Sequence, residues 1–151
     1  MLGDRQFQSR AQVRPFAQPS VSVWVASLAC LALIIGGLGQ WATAFGFMSL
    51  SGTSMHGWNE VGVGVLGLSM LTLHRLSGAR LPLIVAATGG ALGAIQAVVT
   101  LVKLAGAGSV TVLGIQYRFV NPSWGLYLVL AGAIALAASA AVAWLEARAT
   151  R

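Results

Sequence analysis

Residues 58–76 read Trp-Asn-Glu-Val-Gly-Val-Gly-Val-Leu-Gly-Leu-Ser-Met-Leu-Thr-Leu-His-Arg-Leu, and whether this stretch crosses a membrane decides the fold. A helix needs about 20 apolar residues to cross a hydrocarbon layer roughly 30 Å thick. The run between Glu60 and His74 is too short to do this alone. The flanks Trp58-Asn59 and Arg75-Leu76 complete it, with the Arg75 side chain snorkelling to the interface. If the stretch instead re-entered on the side it left, the chain would make an odd number of crossings. Read as a crossing, it is the second of four.

The other spans lie on either side of it. Val21 to Trp41 runs without a charge, 81–104 carries only Lys103 near its end, and 124–145 is rich in alanine. The spans 21–41, 58–76, 81–104 and 124–145 form one membrane domain over 21–145. A basic tail precedes it (1–20), a short tail follows (146–151), and the outer segments are 43–57 and 105–123. The composition agrees: 57% of the 151 residues are hydrophobic and 8% are charged, against about 25% charged in soluble domains. Mean hydropathy is +0.81. These values exclude a disordered chain and an ordinary soluble enzyme, and the single cysteine excludes an intrachain disulfide.

Lys and Arg in short loops set orientation. Arg5, Arg10, Arg14, Arg75, Arg80, Arg148 and Arg151 fall on one side, Lys103 and Arg118 on the other. Both termini are therefore expected to be cytoplasmic. The net charge of +6 reflects this asymmetry and attraction to anionic lipid. The cations are spread over separate segments with no aromatic-interleaved basic stripe, so no nucleic-acid partner is expected.

The loops differ in kind. In the inner turn, Gly78 suits a helix C-cap and Pro82 suits the first turn of the next helix. The outer segments alternate apolar and polar residues: Val110-Thr111-Val112, Ile115 to Phe119, and Thr43 to Leu50 with Phe45 and Phe47 on one side. They predict a small antiparallel sheet capping the bundle. Trp41, Trp58, Tyr117, Trp124 and Tyr127 are expected around it at the bilayer edge. The fold class is thus an all-α membrane protein, a four-helix bundle with a small extracytoplasmic β-sheet cap.

Several motifs are set aside. Gly62-Val63-Gly64-Val65-Leu66-Gly67 has the spacing of a dinucleotide loop but no preceding strand. Ala42-Thr43-Ala44 resembles a signal-peptidase site, but the apolar run before it is too long for a signal peptide. Ser27-Leu28-Ala29-Cys30 only loosely resembles a lipidation site, and Cys30 reads as a packing residue. Asn121-Pro122-Ser123 cannot accept a glycan because proline sits between. Small-residue spacings such as Gly89-x-x-x-Gly93 and Ala32-x-x-x-Gly36 mark helix-packing faces.

The ionic and polar residues expected together are Glu60, Lys103, Asn59, Gln40 and Arg118. Glu60 opens its span and Lys103 closes the next, which places them at similar depth near the outer face. A pair between them lowers the cost of both, and Arg118 competes for the same carboxylate. Gln96 and Thr100 lie deeper, and no ladder of acids crosses the core. The acids are Asp4, Glu60 and Glu146, and His56 and His74 fall at opposite ends. This inventory supports no catalytic set, metal site or cofactor. The outer turn Ser49–Trp58 is polar and punctuated by glycine. Either Ser54 or Asn59 could cap the following helix, and Ser51, Gly52, Thr53, Met55, His56 and Trp58 are the partner-binding candidates.

The pattern resembles small four-span actinobacterial membrane proteins of uncharacterised function. Gly39-Gln40-Trp41, Ser51-Gly52-Thr53, Gly57-Trp58 and Pro122-Ser123-Trp124-Gly125-Leu126-Tyr127-Leu128 carry the resemblance. It implies a bacterial inner-membrane location and an accessory subunit of a mycobacterial envelope or lipid-transport complex such as an Mce importer. The layout is also similar to claudin-type tetraspan proteins, without their paired loop cysteines. The first functional expectation is therefore a non-enzymatic subunit that stabilises a larger membrane complex. The others are a homo-oligomeric pore or holin-like protein lined by Gln40, Gln96 and Thr100, and a sensor of an apolar ligand.

Overall fold

A computed structural model describes residues 20–107, 109–112, 115–118 and 120–149. The expected basic tail, with Arg5, Arg10 and Arg14, lies outside them, as does Arg151. The elements follow as α1 (Val21–Leu38), β1 (Gln40–Ala44), β2 (Met48–Ser51), a 3-10 turn (Gly52–Met55), α2 (Gly57–Ser77), α3 (Leu81–Ala107), β3 (Ser109–Val112), β4 (Ile115–Arg118), β5 (Val120–Pro122) and α4 (Trp124–Ala149). The chain is mostly helical. Three helices, Val21–Leu38, Leu81–Gly106 and Trp124–Ala149, are long and apolar enough to cross a membrane. α2 has 21 residues, which at 1.5 Å per residue is about 30 Å. Its length suffices, but Asn59, Glu60, His74 and Arg75 dilute its apolarity.

Each helix packs on its chain neighbour, and α4 closes the ring onto α1. Neighbours run antiparallel. Near the end of the bundle that carries the β1 strand, designated outer on the orientation expected from the sequence, Gly36 lies on Gly125 and Val129, and midway Gly132 lies on Ala29 and Leu33. At the inner end Ser22 Oγ donates to Glu146 Oε2 at 2.7 Å. In the α1–α2 seam, Gly37 meets Gly57 and Val61, while Gly64 meets Cys30 and Ile34. In a bilayer no hydrophobic force drives helix to helix, so such close approach, giving dispersion contact, is what holds the bundle. The seams enclose Leu33, Leu83, Leu126, Val129 and Leu136, all fully buried. Leu28, Leu92, Ile95, Val102 and Leu145 face outward, as helices in lipid require.

The inner end is ordered by polar contacts. Gly78 adopts φ 65° and its N–H donates to His74 O, ending α2 as the sequence predicts. An Arg80 guanidinium N–H donates to Ala147 O. The Arg75 guanidinium lies 5.4 Å from the Trp24 ring centre, and that of Arg148 lies 4.3 Å from Trp144.

At the outer end β1 is the central strand of an antiparallel sheet in the order β2-β1-β5. Both outer segments contribute to it, as expected. Thr43 to Leu50 is not one strand, however. Phe45 (φ 54°) and Gly46 (φ 76°) reverse the chain, and Ala44 pairs with Met48. The β3 and β4 segments form a separate hairpin. The first span also ends early: Gln40 and Trp41 belong to β1, where the register shifts. Trp41 is no interfacial anchor. It is fully buried, and its Nε1–H donates to Gly36 O at 2.8 Å. By contrast, Trp58, Trp124 and Tyr127 are exposed. The Tyr117 side chain lies outside the described residues.

Candidate functional site

The buried carboxyl of Glu60 and the outer cap carry the polar and recognition features of this chain. Glu60 sits in the first turn of α2 and is 0% exposed. A Cβ built on Gly93 would stand 2.8 Å from Glu60 Oε2 and 3.6 Å from the Ala133 Cβ. The carboxyl thus lies where α2, α3 and α4 meet, in space that the missing side chain of Gly93 leaves free. Neither oxygen has a hydrogen-bond partner.

The expected Glu60–Lys103 pair does not form. Gly93 is near the middle of α3, and Lys103 lies about 15 Å further along the axis at 1.5 Å per residue. Lys103 is also exposed. The expectation placed both helix ends at one level, but the 27-residue α3 runs well past the start of α2. The other members of the expected cluster are also apart. Asn59 is exposed and Gln40 is half-buried in β1. Arg118 belongs to β4, and its side chain lies outside the described residues. Deeper in α3, Thr100 turns its hydroxyl back on the Gln96 carbonyl at 2.9 Å. Among the described residues no group of three or more His, Cys, Asp or Glu could hold a metal ion.

The partner-binding candidates separate by direction. Ser51, His56 and Trp58 face outward, Thr53 is half-buried, and Gly52 is buried. Gly52 lies directly against the Gly37 carbonyl and the Trp41 indole, and its N–H donates to Gly39 O at 2.7 Å. A side chain there would lift the turn off the bundle, so this glycine is a closure and not a contact. Met55 packs inward on the core. Neither Ser54 nor Asn59 caps α2. The N-cap is His56, in the left-handed region with φ 75° and making no side-chain cap, while Ser54 Oγ bonds Ser51 O.

The most exposed part of the cap lies outside these partner-binding candidates. Phe47 is 81% exposed, and Phe45, Met48 and Leu50 are also exposed. All four residues of β2 are exposed. β2 pairs with β1 alone, so among the described residues its other edge offers free backbone donors and acceptors. Natural sheets guard such an edge with charge, proline or a bulge. Residues 40–59 contain neither charge nor proline, and the register shift falls on β1, not β2. The readable signal was Phe-Gly-Phe within this uncharged segment, because glycine between two aromatics permits a turn that displays both.

No protein-family model matches this chain, and no curated protein or solved structure matches it.

Proposed function

We propose that the chain is a four-span inner-membrane protein with both termini in the cytoplasm. In this reading it acts as a non-enzymatic accessory subunit, docking a partner membrane protein through its outer cap. The observation that carries this reading is the unguarded β2 edge beside the Phe45–Phe47 turn. An added strand would gain main-chain hydrogen bonds from β2, and Met48 and Leu50 would supply apolar side-chain contacts. α2 supports the four-span count: it closes the ring between α1 and α3 and matches the hydrocarbon thickness. The resemblance to small actinobacterial membrane proteins makes an envelope lipid-transport complex, such as an Mce importer, the assembly of choice.

The alternatives find less support. Of the residues named for a pore lining, Gln40 is half-buried in β1 and the Thr100 hydroxyl donates to the Gln96 carbonyl. Grooves of about 420 and 280 Å³ flank α4, one walled by Val21, Val25 and Val142, the other by Leu83, Ile84 and Trp144. In a bilayer both fill with acyl chains, so they require no dedicated ligand.

Purification of the tagged chain in mild detergent tests the proposal. A stoichiometric membrane-protein companion is expected with the native sequence. It should be lost with Leu50→Lys, which places a charge on the edge strand and leaves the bundle intact. A native chain that elutes alone, or a companion retained by Leu50→Lys, contradicts docking through this edge.

A further inference from the structure

Glu60 serves no role in that docking reading, yet it is among the largest fully buried side chains of the molecule. An isolated carboxylate in a low-dielectric interior is very costly, and even a neutral polar group costs several kcal/mol without a partner. Here the position is one turn below the start of α2, beneath the outer cap. Gly93, which faces the carboxyl, lies about 18 Å above the start of α3 at 1.5 Å per residue. That depth is inside a hydrocarbon layer of about 30 Å.

The surroundings restrict what can bind. α3 contributes Gly93 and α4 contributes Ala133. The titratable side chain facing this seam from α1 is Cys30, whose sulfur lies on Gly67, two turns along α2 from Glu60. The 3-10 turn above contributes no titratable group, His56 beyond it is exposed, and so is Lys103. A metal ion needs several ligands, and no group of three or more His, Cys, Asp or Glu gathers among the described residues. A cationic side chain of a partner cannot reach a carboxyl that is 0% exposed. A proton needs one acceptor and no open path wider than water.

We propose that Glu60 is a proton-binding site whose loading sets whether the α2–α3–α4 seam is closed. With the proton bound, the neutral acid fits against the bare backbone of Gly93. On its release to water the carboxylate must be hydrated, and water can enter only if α2 parts from α3. That seam is suited to part: it is the least extensive of the four contacts between neighbouring helices, Gly89 meets only the Val63 side chain across it, and Glu60 makes no hydrogen bond across it.

The test uses the full chain in lipid vesicles. Glu60 and Glu146 are its glutamates. Cell-free synthesis of Glu146→Gln with carbon-13 side-chain-carboxyl glutamate therefore leaves Glu60 as the labelled acid. Infrared difference spectra should show an un-ionised carboxylic acid at neutral pH, converting reversibly to carboxylate in alkali. Over that same interval, N-ethylmaleimide should alkylate Cys30 several-fold faster than thiol ionisation alone explains. Glu60→Gln provides that reference, as does a synthetic α1 peptide in the same vesicles if the variant does not fold. A carboxylate band already present at neutral pH overturns the site. Cys30 profiles that superimpose on the reference overturn the switch.

Discussion

At Gly90 and Gly93 the same added atom meets different neighbours. A Cβ at Gly90 would stand 2.7 Å from the Ala137 backbone nitrogen and 2.9 Å from the Ala133 carbonyl oxygen. Backbone cannot turn aside, so the helices must separate. A Cβ at Gly93 would meet the end of the Glu60 side chain, which can rotate. Overpacking of a tight core costs about 1–3 kcal/mol. Gly90→Ala should fall in that range and Gly93→Ala below it, read as thermal unfolding of the two variants in one detergent. Equal losses would mean that Glu60 is held as rigidly as backbone. Gly89 and Gly93 were legible as a packing face from their spacing. Their partners were not, because spacing shows which residues share a face of a helix and not which residue of another helix faces them. Glu60 shows the same limit. Its cost in lipid was readable from one sequence, but its level against α3 required knowing how far the two helices are offset.

At the scale of elements, ends and turns were the readable features. Gly78 follows the last turn of α2 and adopts φ 65°, with nothing within 4 Å of a built Cβ. Alanine there meets no clash and suffers only the left-handed conformation, about 1–2 kcal/mol. Gly78→Ala should lower stability by about that amount, and Gly78→Asn by less, since asparagine tolerates this region better. Equal losses in denaturant titrations would assign the role of Gly78 to something other than backbone freedom. The cap was legible as strands but not as their pairing. Alternation marks a strand, while the reversal at Phe45-Gly46 depends on a bulky residue accepting positive φ, against its own preference. Trp41 misled for a related reason. Tryptophan after an apolar run suggests an interface, but here the register shift in β1 turns it inward to the Gly36 carbonyl. The indole N–H is satisfied there, so burial carries little polar cost.

At the scale of the whole molecule, everything depends on α2 lying in lipid with its neighbours. It was the least apolar candidate in the sequence and remains outside the three helices that qualify on hydropathy. Its polar residues are nevertheless placed as a crossing helix requires. Glu60 is hidden inside the bundle, while Arg75 reaches the Trp24 ring at the opposite end. If α2 crosses, the turn at Ser77 and the turn at Ser54 lie on opposite sides of the membrane. The direct measurement is labelling with a membrane-impermeant maleimide in a Cys30→Ala background, comparing Ser54→Cys with Ser77→Cys in intact cells. Labelling of Ser54→Cys from outside, with Ser77→Cys reached only after the inner membrane is opened, is the result predicted here. Labelling of both positions from the same side would contradict the four-helix membrane bundle.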